Sequence, residues 1–394
     1  MLLSFSVENF RSIRERITLD MRKDKINEHG KTLINNAVLP LAVIYGPNGG
    51  GKSNVLLAFL TLYSFIINKA YSVYYAGPFL LDNESCKKPT IFETIMAIEK
   101  EEYRHYLEID FQADKVIYEE LYVKRPNRKT TTKLFVRENN EIIFGDDLKR
   151  YIGMANNVSE KISMLTFMNQ FYRDPIVNRV YNWYYTVICM AFNQEQLERF
   201  WGIMAAINED ALYKSFMKKL LKEMDLAVDD YELERLNNQQ VKIKTNHSIK
   251  GEVYQFVIQQ ESMGTQKIFA LLPAITTSLI SGTPFVVDEL DAKLHPKLLR
   301  YIIELYKSKE YNPKGAQLIF TSHDLTTMNN EVFRRDEIWF AAKDENQSTK
   351  LYSLSDIRDE DGKRLRHDAV YSKQYLEGRY GADPYFKAMS EWES

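Results

Sequence analysis

The fold of this chain is decided by Gly46-Pro47-Asn48-Gly49-Gly50-Gly51-Lys52-Ser53, which matches the phosphate-binding pattern G-x-x-x-x-G-K-[ST]. The apolar run 41–45 before it predicts a buried strand, and 54–67 after it predicts a helix. Glycines let backbone N–H groups turn towards an anion, and a helix N-terminus adds partial positive charge. We therefore predict a nucleotide-binding loop in which Lys52 reaches the β- and γ-phosphates and the Ser53 hydroxyl ligates Mg²⁺. The residues predicted to contact the nucleotide here are Asn48, Gly49, Gly50, Gly51, Lys52, Ser53 and Asn54.

Length and composition are those of a folded protein. The 394 residues are 45% hydrophobic and 27% charged, which excludes a disordered chain and allows one large domain with an insertion, or two domains. A net charge of −2 gives no general attraction to nucleic acid, so any such contact requires a local patch. The two cysteines, Cys86 and Cys189, lie outside any C-x-x-C pattern, which predicts reduced thiols and a cytoplasmic protein.

Neither a leader nor a membrane span is predicted. The first residues lack a basic region and a cleavage site. The stretch 268–287 is uncharged but contains two prolines and several hydroxyl residues, which favours a buried helix, a turn and a buried strand over a bilayer span.

The order of predicted elements gives an α/β class. Two strands (2–9, 13–22) open the chain, and β-rich stretches with short charged turns predict an antiparallel meander at 90–98, 103–111, 116–124 and 133–136. Large apolar residues then recur three and four apart through 162–172, 181–192 and 196–207, which predicts a helical insertion. β-Structure resumes at 241–244 and 252–258. Helices 263–280 and 296–308 then alternate with strands 284–287, 316–321 and 337–341.

Acidic and imidazole side chains follow two of these strands. Asp288 and Glu289 end an apolar strand, and we predict that Asp288 holds the hydration shell of Mg²⁺ while Glu289 polarises the attacking water. His323 lies just after the strand predicted at 316–321, and we predict that it contacts the γ-phosphate. Glu289 and His323 are therefore the predicted catalytic residues, and Ser53 and Asp288 the predicted metal ligands.

A second anion-binding helix start lies at Ser262-Met263-Gly264-Thr265-Gln266-Lys267, hereafter the signature segment. Ser262 is a good N-cap, and the amides at Gly264 and Thr265 are left exposed. Two such helix starts for one γ-phosphate favour a head-to-tail dimer, in which Ser262 and Gly264 close over ATP held by the partner's phosphate loop.

Together these motifs resemble an ABC-type ATPase head of the SMC/RecF/OLD branch. The opening Glu8-Asn9-Phe10-Arg11-Ser12-Ile13 is similar to that branch's N-terminal strand and turn, which implies that Arg11 and Ser12 lie beside the nucleotide. Ser-Met-Gly-Thr-Gln and 288–296 resemble OLD-like, stand-alone bacterial "AAA family" ATPases, as does the tail 375–382. The resemblance implies that Asp291, and by a weaker match His295, cross a dimer interface.

The resemblance implies an ABC-type ATPase head of P-loop NTPase fold, with an antiparallel β lobe and a helical insertion. Its predicted parts are 1–145 (phosphate loop and β lobe), 146–240 (insertion) and 241–394 (signature, acidic strand end, histidine and tail). No coupling glutamine is identified, and the insertion is too short for an SMC coiled coil. About seventy residues follow His323, too few for a Toprim nuclease, and Asp356, Asp359, Glu360 and Asp361 are interpreted as a loop.

The sequence leaves two functions open. Relatives implied by the resemblance act in anti-phage defence beside a separately encoded effector, a nuclease or toxin, which predicts a homodimer or higher oligomer that uses ATP and Mg²⁺ to regulate a partner. The alternative is a RecF/SMC-like DNA-binding ATPase in repair, and a transporter ATPase is disfavoured. The DNA alternative depends on a basic run on the β lobe, formed by Lys124, Arg125, Arg128, Lys129, Lys133 and Arg137.

Overall fold

The computed structural model describes residues 1–26, 28–68, 76–139, 141–153, 158–190, 210–224, 226–237, 240–358, 362 and 370–382, with the backbone alone at 235–237 and 240. The chain forms two compact units. Unit 1 comprises 1–187 and 328–394, and unit 2 comprises 188–327.

Strands and helices are numbered along the chain. The strands are β1 (Leu2–Glu8), β2 (Ile17–Asp20), β3 (Leu41–Tyr45), β4 (Thr90–Ile98), β5 (Glu101–Asp110), β6 (Lys115–Lys124), β7 (Thr132–Glu138), β8 (Glu141–Phe144), β9 (Ile188–Met190), β10 (Asp230–Asn237), β11 (Gln240–Ile249), β12 (Glu252–Val257), β13 (Pro284–Val287), β14 (Gln317–Thr321), β15 (Ile338–Lys343) and β16 (Thr349–Ser353). The helices are α1 (Lys52–Asn68), α2 (Met164–Phe171), α3 (Pro175–Thr186), α4 (Ala211–Glu223), α5 (Met263–Ser281), α6 (Pro296–Lys307) and α7 (Tyr371–Leu376).

Unit 1 contains the predicted antiparallel meander. The sheet runs in the order β2-β1-β4-β5-β6-β7-β8, so β4 to β8 are joined by hairpins while β1 and β2 complete one edge. Phe5 pairs with Thr94 across β1 and β4, and Leu107 pairs with Glu119 across β5 and β6. Alternating buried positions along β5 explain why the sequence pattern identified these strands. The meander prediction is confirmed.

The phosphate-loop strand also lies in unit 1. β3 is fully buried and pairs in parallel with β15, which pairs antiparallel with β16. Helix α1 follows the loop, and its Phe59 ring packs edge-on against Phe5 with centroids 4.9 Å apart. The strand predicted at 41–45 is confirmed, and the helix predicted at 54–67 extends over Lys52–Asn68.

A buried carboxylate joins the β lobe to helix α2. Glu119 on β6 accepts hydrogen bonds from the Ser163 hydroxyl at 2.6 Å and the Met164 N–H at 2.6 Å, so it caps the start of α2. Burial acts to raise its pKa, but the hydrogen bond and charge of His105, 3.0 Å away, hold the pKa of Glu119 below its usual value. The carboxylate is therefore held as an anion, and the insertion is fixed to the sheet at this point.

Unit 2 combines a parallel set of strands with a small antiparallel sheet. β13 pairs in parallel with β14 and with β9, and β10, β11 and β12 form a separate antiparallel sheet. Helix α5 is buried along most of its length and ends at Gly282, whose φ of 72° provides the left-handed C-cap. The helix predicted at 263–280 and the strand predicted at 284–287 are confirmed.

Two strands lie in the segment 146–240 that was predicted to be helical. α3 ends at Thr186, and Ile188–Met190 joins the parallel strands, so the helical interpretation of 181–192 is wrong at Ile188–Met190, and 191–192 lie outside the described residues. Asp230–Asn237 is also a strand. Tyr231 and Leu233 alternate there with acids at 230, 232 and 234, a period of two that the sequence interpretation did not use. The predicted helix at 196–207 lies outside the described residues.

None of the helices in the described part of the chain, α5 included, combines the length and apolar character needed to cross a bilayer.

Candidate functional site

The phosphate loop of unit 1 runs so close to β15 and β16 that side chains are excluded at two of its glycines. At Gly46, with φ of 151°, an added Cβ would lie 2.1 Å from the carbonyl oxygen of Ala341. At Gly51, with φ of 103°, it would lie 2.1 Å from the Thr349 hydroxyl oxygen. Both positions therefore require glycine, and the path of the loop is fixed by the two strands beneath it.

Lys52 lies inside this loop. Its side chain is 6% exposed, and its ammonium donates to the carbonyl oxygens of Gly46 at 2.8 Å and Pro47 at 3.0 Å. Asn48, Gly49 and Ser53, by contrast, are exposed at the mouth of the loop. Phosphate oxygens are stronger acceptors for an ammonium than carbonyls, so this arrangement suits a lysine that binds phosphates.

A hydroxyl cluster holds the loop to the N-terminal turn. The Thr349 hydroxyl donates to the carbonyl oxygen of Gly50 at 3.2 Å and lies 2.8 Å from the Ser12 hydroxyl. The Asn54 amide donates to the same Ser12 oxygen at 2.6 Å, and the Thr349 N–H donates to the Ser12 carbonyl at 2.7 Å. The structure thus brings the predicted residues Ser12 and Asn54 to the loop. Thr349 was not predicted, because it is almost three hundred residues away and no local pattern marks it.

Arg11 precedes this cluster in a strained turn. It has φ of 50°, its N–H donates to the carbonyl oxygen of Gly77 at 2.9 Å, and its side chain is exposed. Its predicted contact with nucleotide stays a prediction.

In unit 2, the two acids after β13 are organised by the last residue of β14. The Thr321 hydroxyl donates to Asp288 Oδ1 at 2.5 Å and accepts the Glu289 N–H at 2.7 Å. Glu289 has φ of 49° and its side chain is exposed, whereas Asp288 is half-buried. The left-handed backbone turns the second acid out of the strand direction while the first stays fixed. The predicted roles of Asp288 in holding the metal and of Glu289 in polarising water stay predictions.

The turn after Glu289 contacts helix α5 through a buried lysine. Lys267 is 5% exposed, and its ammonium donates to the carbonyl oxygens of Glu289 at 2.7 Å and Ala292 at 2.8 Å. Burial lowers the pKa of Lys267 to about 8, although the nearby carboxylates of Asp291 and Glu289 oppose that shift. No role was predicted for this residue.

Asp291 and His323 meet within unit 2. Asp291 Oδ2 accepts a hydrogen bond from the backbone N–H of His323 at 3.0 Å. Asp291 Oδ1 is buried without a hydrogen-bond partner among the described residues. The His323 side chain is exposed. His295 caps helix α6, because its Nδ1 accepts the Lys297 N–H at 3.2 Å. The predicted contacts of Asp291, His295 and His323 with nucleotide or a partner stay predictions.

The signature segment begins α5 as predicted. The Ser262 hydroxyl accepts the Thr265 N–H at 3.2 Å, and Ser262 is exposed. The prediction that the Thr265 amide is left exposed is therefore wrong, because the cap itself uses this N–H. An added Cβ at Gly264 would lie 3.0 Å from the Lys293 carbonyl oxygen. The first turn of α5 therefore lies tightly against the turn 288–293, hereafter the acidic turn. Glu261, just before the cap, accepts hydrogen bonds from His247 Nε2 at 2.7 Å and from the Thr245 hydroxyl.

The oxygen donors fit magnesium that is bound mainly through its substrate. Among the described residues, no group of three or more acidic, histidine or cysteine side chains is placed so that it could hold a metal ion. Mg²⁺ usually takes one or two protein oxygens and completes its shell with phosphate and water. Ser53 and Asp288 each offer an oxygen of that kind, and their predicted roles as metal ligands stay predictions. Each is placed by its own unit.

Comparison with known proteins agrees with this geometry. A family model described as "AAA domain, putative AbiEii toxin, Type IV TA system" matches residues 41–329, from the strand before the phosphate loop to beyond His323. The chain belongs to this family. Membership identifies a P-loop ATPase-type domain, which implies use of a nucleotide and usually of Mg²⁺. No curated protein matches the sequence.

Among solved structures, similar chains are heads of SMC proteins. One is an SMC head bound to the C-winged helix domain of ScpA, with a TM-score of 0.48, 12% identity, and coverage of 89% of this chain and 97% of that one. The SMC head domain from Thermotoga maritima has a TM-score of 0.44, 14% identity, and coverage of 89% and 98%. An Smc head with an extended coiled coil bound to the C-terminal domain of ScpA, derived from Pyrococcus furiosus, has a TM-score of 0.40, 11% identity, and coverage of 89% and 96%.

The Thr349 hydroxyl provides a test of the loop geometry. Thr349→Val keeps the shape of the side chain but removes the hydrogen bonds that its hydroxyl makes to Gly50 and to the Ser12 hydroxyl. We expect this to weaken binding of a fluorescent ATP analogue about fivefold, which corresponds to a loss of about 1 kcal/mol. Thr349→Ser keeps the hydroxyl and is the matched control. Equal affinity of the valine variant and the wild type would contradict the role of this cluster.

Proposed function

We propose that this chain is an ABC-type ATPase that binds and hydrolyses ATP with Mg²⁺. The observation that carries the proposal is the arrangement of Asp288, Glu289 and Thr321, in which one hydroxyl holds the first acid and sets the backbone of the second. Together with the loop around Lys52, in which Gly46 and Gly51 leave no space for a side chain, these are the parts that phosphoryl transfer to water requires.

Each residue then has one task in hydrolysis. Lys52 exchanges its carbonyl partners for the β- and γ-phosphate oxygens and neutralises their charge. The Ser53 hydroxyl and Asp288 would hold Mg²⁺, which screens the phosphate oxygens when bound. Glu289 accepts a proton from the attacking water while the water oxygen bonds to the γ-phosphorus and the bond from that phosphorus to the β–γ bridging oxygen breaks, releasing ADP. His323 would donate to a γ-phosphate oxygen.

The signature segment supports a dimer as the active form. Ser262 is exposed at the start of a long helix, and its capped first turn presents partial positive charge. We propose that this helix start, with Gly264 and Asp291, completes the ATP site of a second copy. ATP that binds the closed dimer better than the open one would shift the equilibrium towards closure.

We further propose that closure regulates a separately encoded effector in anti-phage defence. The family description, which refers to a toxin of a toxin–antitoxin system, supports a role in a system of two proteins. The signature segment and 288–296 resemble the corresponding segments of OLD-like, stand-alone ATPases, whose implied role is in anti-phage defence. This likeness supports the same role for this chain.

The structure weakens the support for the DNA-binding alternative. In the basic run of the β lobe, Arg137 is fully buried, and its guanidinium donates to the carbonyl oxygens of Asn139, Ile162 and Ser159. Arg125 pairs with Asp147 at 2.7 Å. These two cations are engaged within unit 1, so the run is a weaker patch for phosphate than its sequence suggests.

Hydrolysis is tested by Glu289→Gln. The amide cannot accept the proton of the attacking water, so we expect kcat to fall about 10²-fold or more while the affinity for ATP stays within about twofold. Steady-state phosphate release and analogue binding measure the two effects. Lys52→Ala should lose binding itself, and Glu345→Gln, an exposed acid, is the control. Unchanged turnover in Glu289→Gln would remove Glu289 from the mechanism.

The composite site is tested at Ser262 with two substitutions that both keep the helix cap. Asp and Asn are equally good N-caps, but the aspartate would repel a partner's triphosphate. In the Glu289→Gln background with ATP and Mg²⁺, we expect sedimentation to show dimers for Ser262→Asn and monomers for Ser262→Asp. Dimerisation of the aspartate variant at normal ATP affinity would refute the proposed interface.

The biological role is tested in cells that carry the gene with its neighbouring reading frames. We expect protection from phage in the wild type, and its loss with Lys52→Ala. In parallel, anisotropy of labelled DNA measures the alternative. If binding falls steeply with salt and is lost on Lys129→Glu with Lys133→Glu, while protection is absent, the DNA-maintenance function replaces the defence role.

A further inference from the structure

One buried charge takes no part in the catalysis proposed above. Lys267 lies in the signature segment of α5, and its ammonium donates to the carbonyl oxygens of Glu289 and Ala292 at 2.7 and 2.8 Å. We propose that Lys267 is a positioning residue that locks the turn after Glu289 to α5, so that the signature helix and the catalytic acid move as one body. The inference rests on the proposed function.

The turn requires such a lock because its backbone is strained. Glu289 has φ of 49° and Lys293 has φ of 63°, in a region that residues with a Cβ seldom adopt. Strained residues persist only where their surroundings determine them. At Glu289 the N–H donates to the Thr321 hydroxyl, and the carbonyl oxygen accepts from Lys267 at 2.7 Å and from the Ala292 N–H at 3.2 Å. Removing the lysine would take away the charged donor to this carbonyl oxygen and leave it the longer hydrogen bond from within the turn.

A second contact joins the same two segments. The first turn of α5 lies against the end of the acidic turn, where the position of a Cβ on Gly264 is 3.0 Å from the Lys293 carbonyl oxygen. α5 therefore contacts the turn at Glu289, Ala292 and Lys293. Because these three contacts join the start of α5 to the turn, we expect a displacement of the helix start to displace the three carbonyl groups with it.

The chemistry of the side chain supports positioning over simple packing. Burying an ammonium costs more than burying an apolar chain of the same length, so its retention requires contacts that offset the cost. Two carbonyl acceptors and the carboxylates of Asp288, Glu289 and Asp291 supply them. The lock therefore works through charge and hydrogen bonds, which methionine cannot supply.

The consequence is coupling between two ATP sites. In the proposed dimer, the start of α5 contacts the partner's triphosphate, whereas Glu289 acts on ATP bound by its own chain. A rigid link between them makes correct placement of Glu289 depend on a partner's ATP being present. Such a link is a two-state element that both sites bias.

The experiment compares Lys267→Met, which removes the charge at similar length, with Lys267→Arg, whose guanidinium can donate to both carbonyls. The matched control is Lys307→Met, a buried lysine on α6 of the same unit. For Lys267→Met we expect hydrogen exchange at the amides of 289–293 to become about tenfold faster, kcat to fall at least about tenfold, and KM and ATP affinity to stay within about twofold. Arginine should restore kcat to within about fivefold.

The outcomes separate this inference from the proposed function. Unchanged exchange at 289–293 in Lys267→Met overturns the lock, and faster exchange with wild-type kcat overturns its role in hydrolysis. If the wild type releases no phosphate, the proposed function fails, whereas exchange still decides the lock. Lys267→Gln, which keeps an uncharged donor, replaces the methionine variant if that does not fold. A loss of kcat in Lys307→Met of equal size would assign the effect to general destabilisation and overturn the inference.

Discussion

The close approach of the phosphate loop to β15 and β16 is the constraint on which unit 1 depends. With Gly46 against Ala341 and Gly51 against Thr349, the backbone packs where a side chain would collide. The same strand residue, Thr349, also binds Ser12, so loop, N-terminal turn and strand form one hydrogen-bonded group. A loop held this way needs little reorganisation on binding an anion, and preorganisation is what makes its N–H groups effective.

Unit 2 uses the same device at its acidic turn. A threonine on a strand again fixes a functional loop through its hydroxyl: Thr321 holds Asp288 and Glu289 as Thr349 holds Gly50. A β-branched hydroxyl side chain suits this task because its χ1 angle is restricted, so little side-chain freedom is lost in aiming the oxygen. The acidic turn has Lys267 as a further constraint, which the strain at Glu289 explains.

The sequence predicted those features that local patterns encode. The strand 284–287 and the helix from Met263 were predictable because an apolar run ends in acids and a serine precedes a long apolar segment. β9 was missed because three residues carry no periodicity, and their strand form comes from pairing with β13. Thr321, Thr349 and Lys267 were missed for a related reason: their partners are remote in sequence. Arg137 was predicted to belong to a basic patch because the sequence does not show that its guanidinium donates to carbonyl oxygens more than twenty residues away.

The two buried lysines of the functional segments show how one chemistry serves two purposes. Lys52 and Lys267 both donate to backbone carbonyl oxygens, which carry no formal charge and so do not neutralise the ammonium. At Lys52 the exposed residues of the loop leave access for phosphate, a stronger acceptor that can displace a carbonyl. At Lys267 the ammonium is enclosed between α5 and a turn that bears three carboxylates, so displacement by an outside anion would meet their repulsion. Position in the fold, not residue type, therefore distinguishes the lysine that we propose binds phosphate from the lysine that we propose links two segments.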